Sequence, residues 1–321
     1  MDRLGNSPER WSNTAADPVS LTRQFVLPVD GRITSQVVAA SGSYYAATSA
    51  GKIVAFSPEG IVRWQVDVGQ LSNACAQLDG YGVTGTGAID PAAGTLYVAD
   101  AFGRLHALGL SNGAERPGWP VRVFTDDRKE LVWGALSLVN GAVYVPTASY
   151  CDSPMVGGIY RVDLASHLVT SWISVPASLG GGGGVWGWGG TSYSPQQNEL
   201  YAVTANALLG GTNAGASFSE SAGYGEQLVE LAPDLTVEAA SHPADIASPQ
   251  DLDFVGSPVV LDRTGCGELA VAATRTMSST AGATTTSRPA RSGTSRSSRS
   301  TPRTHSSRSS PGRRRWRRST R

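Results

Sequence analysis

Short runs of alternating or wholly apolar residues, broken at close intervals by Gly, Pro, Asn and Asp, cover most of the chain. Alternation sends successive side chains to opposite faces of a strand, and the breaking residues supply the turns between strands. Amphipathic helical spacing is hard to find, so the pattern predicts an all-β fold. One unit recurs. Its first half, a strand, a tight turn and a second strand, occupies residues 35–51, 85–103, 133–149, 190–206 and 256–274. Its second half, a third strand and a fourth strand opening on Trp, follows at residues 52–56 and 64–68, then 104–108 and 119–123, then 159–162 and 172–175. A fourth copy, at 227–231 and 235–237, has no Trp. Trp64, Trp119 and Trp172 are 55 and 53 residues apart. That period suits the four-stranded blades of a β-propeller. Residues 22–273 therefore read as four complete blades and the start of a fifth, an incomplete propeller.

Strand order within such a blade places its loops. First-to-second and third-to-fourth turns lie on one face, while second-to-third loops and blade-to-blade connections lie on the other. The long insertions, at residues 69–82, 150–157, 176–189, 207–223 and 241–255, all belong to the second face. Long loops on one side of a rigid scaffold are where binding sites gather, so this face is expected to meet a small molecule or a protein. Cys75 and Cys151 fall on it and Cys266 does not. A Cys75–Cys151 disulfide and a pair of free thiols are both open readings.

The two ends depart from the repeat. Residues 1–21 form an N-terminal extension without the basic-then-apolar pattern of an export signal. Residues 23–29 read as a fourth strand with no blade before it, a strand that would complete the last blade of a closed ring. From Thr274 onward there are thirteen Arg and no acidic residue. Residues 274–321 are expected to be a disordered tail. Its onset in mid-blade favours out-of-frame translation over a basic arm for nucleic acid, and on that reading Met1 is an internal start. An arc left open in this way exposes two unpacked blade faces and is expected to self-associate.

Charge sharpens this division. The zero formal net charge hides a body, residues 1–273, with thirteen basic and twenty-six acidic side chains, a net −13. An acidic body has no electrostatic attraction for nucleic acid. No stretch is apolar and long enough to cross a membrane as a helix. Gly80 to Gly85 fits Gly-x-Gly-x-x-Gly, but a strand follows where a dinucleotide site needs a helix. His106, His167 and His242 show no metal-ligand spacing. Asp245, Asp251 and Asp253 cluster in one long loop, either as solvated acids or as a weak cation site.

Residues 55–64, Ala-x-x-x-x-Gly-x-x-x-Trp, and the looser run 107–119 resemble the tryptophan-docking motif of pyrroloquinoline quinone (PQQ)-dependent dehydrogenases and their non-catalytic relatives. The resemblance implies Trp side chains packed between neighbouring blades and an extracytoplasmic home for the intact protein. A second stretch is similar to quinoprotein alcohol dehydrogenases: Gly182-Gly183-Gly184-Val185-Trp186, then Tyr193-Ser194-Pro195, then Thr204-Ala205-Asn206. It implies that Gly183, Gly184, Trp186, Trp188 and Asn206 would line a quinone, with the Asn206 amide oxygen a ligand of Ca²⁺. The sequence departs from that pattern at Ser194 and Ala205, and it lacks the adjacent-cysteine pair that the dehydrogenases carry over the quinone. The reading this supports is a non-catalytic, exported binding or scaffold propeller without a cofactor. The alternative is a PQQ- and Ca²⁺-dependent oxidoreductase acting on an alcohol or sugar.

Overall fold

The computed structural model describes residues 23–72, 80–125, 130–148, 156–207, 223–242, 253–254, 256–263, 267–274 and 284–287. Five antiparallel sheets follow one another along the chain, each ordered as in the sequence. The first blade is β1 (Val38–Ala40), β2 (Ser43–Ala47), β3 (Lys52–Phe56) and β4 (Val62–Asp67). The second is β5 (Ala88–Asp90), β6 (Thr95–Ala99), β7 (Arg104–Gly109) and β8 (Val121–Arg122). The third is β9 (Ser137–Val139), β10 (Ala142–Thr147), β11 (Gly158–Asp163) and β12 (Val169–Ile173). The fourth is β13 (Ser192–Ser194), β14 (Glu199–Val203), β15 (Leu228–Leu231) and β16 (Val237–Ser241). The fifth has three strands, β17 (Val259–Arg263), β18 (Gly267–Ala272) and β19 (Thr284–Ser287). The architecture is the predicted one: all-β, in propeller blades.

The hairpins form where the turn chemistry demands them. Ser41-Gly42 and Asn140-Gly141 both sit at positive φ, the conformation that closes a two-residue hairpin with the native strand twist. Asp90 accepts the backbone N–H groups of Ala92 and Ala93 at 3.0 Å and so closes the longer turn of blade two.

Blades pack face to face through a repeated aromatic device. The third residue of the second strand is Tyr in four blades: Tyr45, Tyr97, Tyr144 and Tyr201. Tyr45 lies 5.7 Å from Trp64, and both donate to the Leu110 carbonyl of blade two, at 3.2 and 2.9 Å. Gly113 of the same turn passes beneath the Trp64 ring, where a Cβ would come 2.7 Å from it. Tyr97 lies 5.6 Å from Trp119, which meets His167 of blade three edge-on at 4.8 Å. Each such Trp buries on the order of 200 Å², worth up to about 5 kcal/mol.

Four expectations are corrected. Trp172 does not open its strand: β12 begins at Val169, and Trp172, opposite Ile159 at the register position of Ile53, packs between blades three and four. The docking position in blade three is Thr170, and Tyr144 bonds instead to the Pro233 carbonyl of blade four at 2.6 Å. Leu235 belongs to a turn at φ 71, and the fourth strand of blade four begins at Val237. Residues 23–29 form no strand; Phe25 packs edge-on against Phe56 at 6.2 Å. Thr284–Ser287, in the stretch expected to be wholly disordered, pairs with β18 through Leu269↔Ser287 to Ala272↔Thr284.

Candidate functional site

The connection from blade three to blade four, residues 174–191, builds the centre of the long-loop face. Gly182 bridges Val156 on one side and Ala207 on the other. Gly157 N–H donates to the Gly182 carbonyl, Gly183 N–H to the Asn206 carbonyl and Ala205 N–H to the Gly184 carbonyl, all at 2.8–2.9 Å. The glycine run is thus a rung that ties the second-to-third loops of two blades together. Gly183 sits at φ 67, and a Cβ there would fall on the Ser174 hydroxyl, which itself donates to the carbonyls of Gly157 and Gly183. Close approach of the chain to itself accounts for the glycines.

Asn206 follows on the far side of that rung. Its backbone N–H donates to Asp253 Oδ1 at 3.0 Å, and Asp253 is 8 % exposed. The structure therefore joins Gly183, Gly184, Asn206 and Asp253, residues drawn from three separate connections. The Asn206–Asp253 contact was not foreseen, and its signal in the sequence was slight: an acid in a long loop of the correct face. Trp186 lies 6.2 Å from Trp133, which lies 5.6 Å from Tyr81. These three rings precede the first strands of blades two, three and four. Trp188 is 54 % exposed. Asp245, Asp251, Cys75, Cys151 and Cys266 lie outside the described residues.

The donors suit a hard cation in kind. An amide and a carboxylate are oxygen ligands that Ca²⁺ accepts, and Ca²⁺ takes six to eight of them. Among the described residues no group of three or more His, Cys, Asp or Glu side chains could hold a metal ion. Asn206 and Asp253 would be two ligands of a set completed from elsewhere.

A second polar cluster escaped the sequence reading, which treated the histidines as scattered. His106 on β7 is 5 % exposed and held between two carboxylates, Nδ1 to Glu115 Oε2 at 2.6 Å and Nε2 to Asp100 Oδ2 at 3.2 Å. Asp100 also receives Arg104 Nε at 2.6 Å and the backbone N–H groups of Phe102 and Arg104, and Arg104 reaches the Val68 carbonyl of the connection leaving blade one at 3.1 Å. Burial pushes the imidazolium pKa down, but hydrogen bonds to Asp100 and Glu115 more than reverse this, so His106 stands above its ordinary value. Burial pushes Asp100 up, and the bonds from His106 and Arg104 hold it below the usual carboxylate range. This cluster locks blade two and its junction with blade one, with His106 and Asp100 buried at its centre.

Comparison with solved structures gives the same architecture. The chain superposes on the quinohemoprotein alcohol dehydrogenase of Comamonas testosteroni with a TM-score of 0.60 at 20 % identity, covering 76 % of this chain and 40 % of that one. The quinohemoprotein alcohol dehydrogenase ADHIIG of Pseudomonas putida HK5 gives 0.63 at 18 %, covering 78 % and 40 %. The fold is that of the quinoprotein alcohol dehydrogenase propeller. A europium-containing methanol dehydrogenase gives a TM-score of 0.58 at 18 % identity, covering 76 % and 49 %. The chain thus spans 40–49 % of the length of these quinoprotein-type structures. No family model and no curated protein matches the sequence. Among the described residues no helix is long and apolar enough to cross a membrane.

Proposed function

We propose that this chain is a ligand-binding propeller of quinoprotein type, non-catalytic, whose site is the mouth of the long-loop face around Trp186, Trp188, Asn206 and Asp253. The observation that carries the reading is the Gly183–Asn206–Asp253 link, which ends on a buried carboxylate; the exposed Trp188, on the same connection as Gly183, supplies an aromatic surface. A ligand with a flat apolar part and a cationic or hydrogen-bond-donating group would use both. The propeller would work outside the cytoplasm, as the resemblance implies.

The Asp253 contact also favours a second reading. An acid beside the Asn of the resemblance is what a PQQ- and Ca²⁺-dependent dehydrogenase would need. Asn206 and Asp253 would hold the cation, Trp186 would stack on the quinone, and the quinone would accept hydride from an alcohol. The missing adjacent-cysteine pair places this reading second. Purified protein is heated with Ca²⁺ alone, with PQQ alone and with both, and is assayed for dye-linked ethanol oxidation. The binding reading expects no shift in Tm with PQQ and no turnover in any condition. A Tm increase that needs both additions, with dye reduction, would replace it by the dehydrogenase reading.

A further inference from the structure

The dipeptide Asn-Gly occurs twice in the chain, at residues 112–113 and 140–141. The first lies in the third-to-fourth turn of blade two and the second in the first-to-second turn of blade three, both on the short-turn face. Asn followed by Gly is a reactive pair. The Gly nitrogen can close a five-membered ring on the Asn side-chain carbonyl carbon, because glycine has no Cβ to shield that nitrogen or restrict its approach. Whether a folded chain allows the closure depends on access of water, freedom of the Gly N–H and room for the turn to move. The two copies differ in all three.

Asn112-Gly113 is locked. Gly113 is buried, and its N–H donates to the Gly109 carbonyl at 2.8 Å. The Trp64 ring lies over it, so close that a Cβ at Gly113 would come within 2.7 Å. Asn112 Oδ1 accepts the Ala114 N–H at 3.1 Å, so the carbonyl that would be attacked is itself held.

Asn140-Gly141 is open. Both residues are exposed, and a Cβ at Gly141 would meet nothing within 4 Å. Among the described residues nothing accepts the Gly141 N–H, while its carbonyl accepts the Leu164 N–H at 3.0 Å. The Asn140 side chain reaches across to blade four. Its Nδ2 donates to Tyr193 Oη at 3.1 Å and to Asn198 Oδ1 at 2.9 Å, and Tyr193 Oη donates to the same Oδ1 at 2.8 Å. This polar clasp between blades three and four depends on the N–H groups of one amide.

We propose that Asn140 is a site of spontaneous covalent modification, where water converts the clasping amide to a carboxylate through a cyclic imide. The Gly141 nitrogen gives its proton to solvent and bonds to Asn140 Cγ; the Cγ–Nδ2 bond breaks, and the nitrogen takes up a proton and leaves as ammonia. Water then opens the ring. Opening at Cγ gives aspartate at this position, and opening at the main-chain carbonyl gives isoaspartate. The sequence consumes one water, releases one ammonia and involves no net oxidation. Aspartate tolerates the left-handed φ of 48 but has no N–H to offer Tyr193 and Asn198. Isoaspartate adds a carbon to the main chain of a two-residue turn whose register is set by the Val139↔Ala142 pair. Both products act on the contact between blades three and four.

The test incubates the full chain in mildly alkaline buffer, folded in one sample and unfolded by guanidinium chloride in the other, and follows tryptic peptides by mass spectrometry. The peptides Leu105–Arg122 and Glu130–Arg161 carry one Asn-Gly each, and the modification raises a peptide's mass by one unit. In denaturant the two should convert at similar rates. In the folded chain Glu130–Arg161 should convert, into two isomers separable by chromatography, while Leu105–Arg122 stays unchanged. Gly141→Ala, at a position with open space around it, should suppress the conversion. Conversion of both peptides at the same rate in the folded chain would overturn the proposal. So would a folded Asn140 that converts at only a small fraction of its rate in denaturant, since the hairpin would then be withholding the Gly141 nitrogen.

Discussion

Replacing His106 by Gln removes the cation held between two carboxylates while keeping a side chain of similar reach. Asp100 retains Arg104 and two backbone donors. Glu115 retains the Ala107 N–H at 2.8 Å and its side chain is 30 % exposed. The loss is therefore below the ~3–5 kcal/mol of stripping a buried ion of its partner. One well-buried charge-assisted bond and one partly screened bond give about 2–3 kcal/mol, or roughly 4–12 °C in Tm for a domain of this size. The pH dependence follows from the directions of the shifts. The folded pKa of His106 is raised above its ordinary 6.5, so its contribution is complete below about pH 6.5 and disappears as pH rises through the folded value. Asp100 is lowered from 3.8, so its contribution holds above that value and is lost as pH falls through the folded one. Urea melts of wild type and His106→Gln from pH 5 to pH 9 should show a gap widest near pH 5–6 and closing toward pH 9. A gap that stays constant over that range, or one under ~0.5 kcal/mol at pH 5.5, would refute the account of the clamp.

Other positions give separable outcomes. Trp64→Phe keeps most of the ring area but loses the bond to the Leu110 carbonyl, and should cost about 1–2 kcal/mol in a urea melt. Gly183→Ala places a methyl group on Ser174 at a positive φ and should cost more than about 2 kcal/mol, whereas Gly141→Ala, with open space around it, should cost only about 1 kcal/mol for its φ; the comparison of the two Tm values checks this. Asp253→Ala should lower Tm by a few degrees through the freed Asn206 N–H, and should abolish any Ca²⁺-induced change in tryptophan fluorescence that the wild type shows.

Most of the fold was legible because its signals are local. Residues 52–56 read as a third strand from an apolar run at its place in the repeat, and β3 has those bounds. Trp172 misled because a large aromatic was used as a landmark where the strand register decides; the repeated Tyr of β2, β6, β10 and β14 keeps register in four blades. Thr284–Ser287 was hidden by its setting in a run of Ser, Arg, Gly and Pro; Thr itself favours strands, and β18 supplies the edge it pairs with. The site was legible in its parts. Gly183, Gly184 and Asn206 were marked by resemblance, but nothing local ties Asn206 to an acid 47 residues later, and only blade packing brings them together. His106 was missed for the same reason: its partners flank it at spacings that match no metal motif and have meaning only in a β-sheet.

The central claim is that the Gly183–Asn206–Asp253 rung is a built part of the propeller's working face. Hydrogen exchange of the ligand-free chain tests it most directly, because the N–H groups of Gly157, Gly183, Ala205 and Asn206 are all bonded across that rung. The account predicts that these four amides exchange as slowly as those of β10 and β14. Exchange at the rate of an open loop, with the strands protected, would contradict it.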